Sequence, residues 1–134
     1  MDRSSQNEIR RLWIGAGYAL AVAIIVVSLI PSPPVDMQAG RDKVYHAIAY
    51  CLLMWWFVQA YSRQSWFTIA LACSTLGIVL EYAQRLTGYR SFSYEDMAAN
   101  IIGVIVAWIL AWLGLRNTTN WIATRWRRAS CNSD

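Results

Sequence analysis

The sequence predicts an all-α integral membrane bundle of four transmembrane helices. Three observations predict it: four long apolar runs, charges confined to the ends of those runs, and aromatic residues sorted into two bands. Of the 134 residues, 57% are hydrophobic and only 15% are charged, too few charges to coat a soluble helical bundle of this size. The length fits one domain. The apolar runs lie at 12–30, 44–61, 66–86 and 97–115. At about 1.5 Å of rise per residue each covers roughly 27 to 32 Å, against a hydrocarbon core of about 30 Å.

Charge sets the expected orientation. If all four runs cross, Arg3, Arg10, Arg11, Arg63, Arg116, Arg125, Arg127 and Arg128 share one side, and Arg41, Lys43, Arg85 and Arg90 share the other. The positive-inside rule makes the first group cytoplasmic, so both termini face the cytoplasm. Because the cations hug the ends of apolar runs, the net charge of +4 fits topology, and no nucleic acid is expected as a partner. All eight tryptophans fall in the cytoplasmic half or tail, and five of seven tyrosines (Tyr45, Tyr50, Tyr82, Tyr89, Tyr94) in the outer half. Such banding suits rings whose polar tips stay wet at a bilayer interface.

Taken in order, residues 1–11 form a polar cytoplasmic lead-in, ahead of a first helix whose apolar part is too long for a secretory signal core. Pro31, Pro33 and Pro34 stop that helix, since proline lacks the N–H and disfavours helix at the residue before it. The second helix opens on Asp42, Lys43 and His46; Asp42 suits the first turn of a helix dipole and shares a face with His46. A tight turn at 62–65 makes the second and third helices antiparallel neighbours. The third helix stays apolar until Glu81, Gln84 and Arg85, which lie near one face. Arg85 reads there as a snorkelling anchor and a partner for Glu81.

Gly88 is a plausible helix stop, and Ser93 with Asp96 resembles a capping box at the start of the fourth helix. Asp96, Asn100, Gly103 and Ala107 then recur at steps of four, three and four, a stripe that lets another helix approach closely. The transmembrane unit is thus 12–115. The remainder, 116–134, is a basic amphipathic tail with Trp121 and Trp126 among arginines, expected as a short interfacial helix on anionic cytoplasmic lipid and disordered from 129 on. Cys51 and Cys73 read as small packing residues and Cys131 lies in the tail, which makes no disulfide framework. No metal-ligand spacing is present, and neither metal nor cofactor is expected.

His46, Glu81 and Asn100 all fall within roughly 4 to 9 Å of the outer membrane face at 1.5 Å per residue. Polar groups at that depth need partners or water. An outward-opening pocket between the second, third and fourth helices is therefore expected, rimmed by Asp42, Lys43, Arg90 and Asp96. Lys43, Arg85 or Arg90 could grip a phosphate or other polar lipid headgroup there, with Glu81 and His46 available for proton transfer. Each residue also has a plain structural reading: dipole complement for Asp42, hydrogen bonding for His46, interhelical packing for Asn100.

In these residues the chain resembles the VanZ-like membrane proteins, named for a teicoplanin resistance protein. The matching motifs are D-K-x-x-H at Asp42, Lys43 and His46, E-x-x-Q at Glu81 and Gln84, then Arg90, and D-x-x-x-N-x-x-G at Asp96, Asn100 and Gly103. Ala107 stands where a second glycine would be expected. The resemblance implies a small multi-pass protein of a bacterial cytoplasmic (inner) membrane, linked through its founding member to the cell envelope, and supplies no settled activity. Three functions follow as expectations. The first is binding of a membrane lipid or lipid-linked cell-wall precursor, the second a transferase or hydrolase using Glu81 or His46 as acid or base, and the third a proton-coupled transporter or flippase.

Overall fold

The computed structural model of the protein describes residues 3–30, 41–88 and 92–114. Its long helices are α1 (Arg3–Leu29), α2 (Arg41–Ala60), α3 (Trp66–Leu86) and α4 (Tyr94–Trp112), with a 3-10 turn at Arg63–Ser65. No strand occurs among the described residues. The prolines at 31, 33 and 34, the expected loop from 32 to 41 except its last residue Arg41, Arg90 and the tail 116–134 lie outside them.

The apolar runs become helices close to where the sequence places them, with one extension. α1 starts at Arg3, so much of the polar lead-in is helical. Nothing between Arg3 and Leu12 breaks a helix, and the Glu, Gln and Arg there are good helix formers. Tertiary contacts hold this end: the Arg10 Nε–H donates to the Ala60 carbonyl at 3.0 Å, satisfying an open carbonyl at the end of α2, and its guanidinium lies 5.5 Å from the centroid of the Tyr61 ring. At the far end of α3, Gly88 takes a φ of +72°, the left-handed conformation that closes helices. Ser93 is the N-cap of α4, its hydroxyl accepting the Asp96 N–H at 3.2 Å.

α2 packs against all three other helices, and its closest partner is α4. Small residues explain the approach. A Cβ on Gly103 would collide with the Ala47 carbonyl oxygen and come within 3.0 Å of the Cys51 nitrogen, so the two backbones nearly touch there. The stripe Asp96, Asn100, Gly103, Ala107 and Ala111 is buried along its length, alanine at 107 included. Tyr50, Leu53, Met54 and Val58 of α2, Trp66, Ala70 and Cys73 of α3, and Val104 of α4 complete the core with them.

α1 sits at the edge. It meets α2 through Gly17, which faces the Trp56 and Phe57 rings, and through a paired tryptophan contact. The Trp13 and Trp56 rings stack at 4.2 Å and 8°, and each indole N–H donates to the other residue's carbonyl, at 3.1 and 2.9 Å.

The outside is apolar. Val22, Val26, Val27, Phe67, Leu71, Val79, Ile102, Ile105 and Ile109 are all exposed, far more contiguous apolar surface than a water-soluble protein of this size tolerates. Three segments, Asn7–Leu29, Arg63–Leu86 and Tyr94–Trp112, are long and apolar enough to cross a membrane. α2 matches them in length but opens with Arg41, Asp42 and Lys43, carries His46 one turn later, and falls below that apolarity.

Candidate functional site

The buried polar side chains among the described residues gather at one end of the bundle. Glu81 and Gln84 close α3 while Asp96 and Asn100 open α4, and all four are buried. His46, half-buried, joins them from the start of α2. Antiparallel packing makes this possible: the start of α2, the end of α3, the start of α4 and the end of α1 lie together.

Each polar group is tied across helices. His46 Nδ1 is 3.1 Å from the Asn100 side-chain oxygen; because a carbonyl oxygen only accepts, Nδ1 is the donor in this contact. The Asn100 side chain lies over Gly77 of α3, where a Cβ would come within 3.0 Å of its amide nitrogen. Gln84 donates its amide N–H to the Ser28 carbonyl at 2.9 Å, fastening the end of α1 to α3. Glu81 accepts the backbone N–H of Ser93 at 2.7 Å, fastening the end of α3 to the start of α4.

That last bond bears on Asp96. In a capping box the acid at the third helical position reaches back to the N–H of the cap residue. Here Glu81 takes the Ser93 N–H, which leaves the Asp96 carboxylate to other partners. Asp96 Oδ1 is buried and has no hydrogen-bond partner. A carboxylate oxygen of Asp96, a ring nitrogen of His46 and a carboxylate oxygen of Asp42 lie within 4.8 Å of one another. His46 Nε2 is 3.9 Å from Asp42 Oδ1, one helical turn away. Asp42 and His46 of α2, one turn apart, and Asp96 of α4 thus bring three potential ligands to one point.

The rim is ionic. Lys43 pairs with Glu95 of α4 at 2.7 Å, both side chains well exposed. The hydrogen bond to Glu95 raises the Lys43 pKa above its ordinary value, with smaller contributions from the charges of Glu95, Asp96 and Asp42. Arg85, expected to partner Glu81, reaches to the Phe92 ring at 5.9 Å. Of the expected site residues, then, Asp42, Lys43, His46, Glu81, Gln84, Asp96 and Asn100 meet at one end, and Arg90 lies outside the described residues.

Tyr50, Gly77 and Glu95 belong to this region and were not singled out by the sequence. Tyr50 continues the Asp42–His46 face by another turn, buried with an unpartnered hydroxyl, and that spacing could have marked it. A separate cavity of about 220 Å³ is apolar and lies among α1, α2 and α3, lined by Tyr18, Leu53, Phe57, Ile69 and Leu76 among others.

No curated protein and no solved structure matches the chain. The family model described as VanZ/LLP1 matches residues 6–115, which takes in α2, α3 and α4, α1 from residue 6 on, and every described residue of the polar layer. With membrane-length apolar helices and this match over most of its length, the chain is a multi-pass membrane protein and belongs to the VanZ/LLP1 family.

Proposed function

We propose that the polar layer receives the anionic, phosphate-bearing headgroup of a membrane lipid or lipid-linked envelope precursor at the outer face of a bacterial cytoplasmic membrane. The observation that carries this reading is the convergence of Asp42, Lys43, His46, Asp96 and Asn100 at one end of an otherwise apolar bundle. Polar and ionisable groups at membrane depth mark ligand or ion paths more often than stability devices. Lys43 is the cation at the mouth, and a phosphate would compete with Glu95 for its ammonium. In this reading α2 also crosses, with Val44, Ile48 and Leu52 exposed on its outer face, and the positive-inside rule then assigns both termini to the cytoplasm. The tryptophan-rich end is then cytoplasmic, where Arg63 lies 5.5 and 6.0 Å from the Trp66 and Trp112 ring centroids. Anionic lipid binding by the basic tail belongs to the same proposal.

The test is native mass spectrometry of the purified protein with added phosphatidic acid or an uncharged diacylglycerol. Retention of the phosphate lipid, weakened by salt and by Lys43→Gln, supports the reading. Equal retention of both lipids rejects it.

One observation favours an enzyme as a second reading. Asn100 accepts from Nδ1 of His46 and turns Nε2 toward Asp42, the ring orientation that a general base would use. Glu81 suits that role less well, since its carboxylate holds a backbone N–H. Turnover of a lipid phosphoester that is lost in His46→Gln and kept in Glu81→Gln would establish it.

A further inference from the structure

We infer that Asp42, His46 and Asp96 form a binding site for one divalent transition-metal ion, of the zinc or manganese class. Three independent features converge on it. The first is the donor set: one imidazole and two carboxylates from two helices, with ligand atoms within 4.8 Å of one another. Around a tetrahedral ion with bonds of about 2.1 Å, ligand atoms stand roughly 3.4 Å apart. The 3.9 Å between His46 Nε2 and Asp42 Oδ1 needs only a small side-chain rotation to close.

The second feature is the ring orientation of His46. A ligating histidine normally donates its other ring N–H to a fixed acceptor, which orients the ring and makes the ligating nitrogen more basic. Asn100, itself packed over Gly77, supplies that acceptor to Nδ1, and Nε2 is the ring nitrogen turned toward Asp42.

The third feature is the vacant valence on Asp96. Asp96 keeps only 7% of its surface exposed as a residue, and its buried Oδ1 has no hydrogen-bond partner. Glu81 has displaced it from the capping role its position predicts. A buried carboxylate oxygen beside a second carboxylate is unfavourable unless a cation faces it. Lys43, the one lysine in the sequence, is bonded to Glu95 at the rim. A divalent ion would bring positive charge to both carboxylates and give the buried Asp96 Oδ1 a partner. Three protein ligands leave a coordination position open, as catalytic and substrate-binding metal sites do, for water or an anionic oxygen. Entry of a lipid phosphate oxygen at that position rests on the headgroup reading above; binding of the ion does not.

The test is a titration of the full chain, purified in detergent and stripped with chelator, with Co2+ as a coloured probe and Zn2+ as competitor. Fold is checked by helicity, and no lipid is added. The expected result is one saturable Co2+ per chain, displaced by Zn2+, without a thiolate charge-transfer band. Affinity should fall at least 10-fold in Asp96→Asn and in His46→Gln. If those two variants fail to fold, Asp42→Asn decides, because Asp42 sits at an accessible helix start with 34% of its side chain exposed; it too should weaken binding at least 10-fold. Absence of saturable binding, a thiolate band pointing to the cysteines, or unchanged affinity in folded Asp42→Asn would each overturn the site. Failure here leaves the headgroup reading standing. Failure of phosphatidic acid to bind a protein that holds its metal would remove that reading alone.

Discussion

The buried carboxylate of Glu81, near the end of α3, accepts the backbone N–H of Ser93, the residue that caps α4, at 2.7 Å. One side chain thereby joins two helices and decides what a second acid, Asp96, is available to do. A hydrogen bond to a charged acceptor is worth about 1.5–3 kcal/mol. Glu81→Gln keeps an oxygen acceptor and should lose about 1–2 kcal/mol, whereas Glu81→Ala should lose more than about 3 kcal/mol by leaving the amide and its surroundings unsatisfied. Reversible unfolding in mixed micelles measures both. Equal losses in the two variants would show that this acceptor does not hold the loop.

Gly103 decides how closely α2 and α4 pack. Gly103→Ala puts a methyl group into the Ala47 carbonyl, a backbone atom that cannot rotate away, so the helices must separate. A loss of about 1–3 kcal/mol is expected, since overpacking of that kind costs this much in tight interfaces. Gly15→Ala, with open space around it, should change stability by less than about 0.5 kcal/mol or raise it slightly. A thermal shift in detergent compares the two.

Trp13 and Trp56 couple α1 to the rest. Stacked aromatic pairs contribute about 0.5–1.5 kcal/mol beyond burial, and here two indole hydrogen bonds add to that. In a double-mutant cycle of Trp13→Ala and Trp56→Ala the coupling should reach about 1–2 kcal/mol. Additive losses would mean that α1 is held by Gly17 and the Gln84 bond to Ser28 instead.

Lys43 and Glu95 form an exposed pair, and exposed pairs contribute little to stability, about 0–1 kcal/mol. Lys43→Gln should therefore leave the melting temperature nearly unchanged while weakening retention of a phosphate lipid. A large drop in melting temperature would recast Lys43 as a structural residue.

Much of this was legible in the residues. Apart from the start of α1, apolar run length and end signals place the helices to within a few residues, because local chemistry sets them: Ser93 caps α4 and Gly88 turns to positive φ after α3. The stripe from Asp96 to Ala107 is buried as its period requires. Equal depth of His46 and Asn100 follows from counting residues, and the two do touch. Outside that stripe the rotation of a helix about its axis was not legible, since periodicity does not fix it in a helix that is apolar all round. Hence Lys43 reaching Glu95, Gln84 reaching a carbonyl of α1, and Gly77 seating Asn100 appear only once the helices are packed. The polar residues of α1 before Leu12 extend its helix for a reason equally absent from local sequence: Arg10 is held by the end of α2.

Side-specific cysteine labelling is the most direct measurement of where this polar end lies. In a background free of native cysteines, Glu95→Cys should react with a membrane-impermeant maleimide in intact cells, and Arg63→Cys only after the membrane is opened. Labelling in the reverse pattern would put Asp42, His46 and Asn100 at the cytoplasmic surface and contradict an outward-facing site.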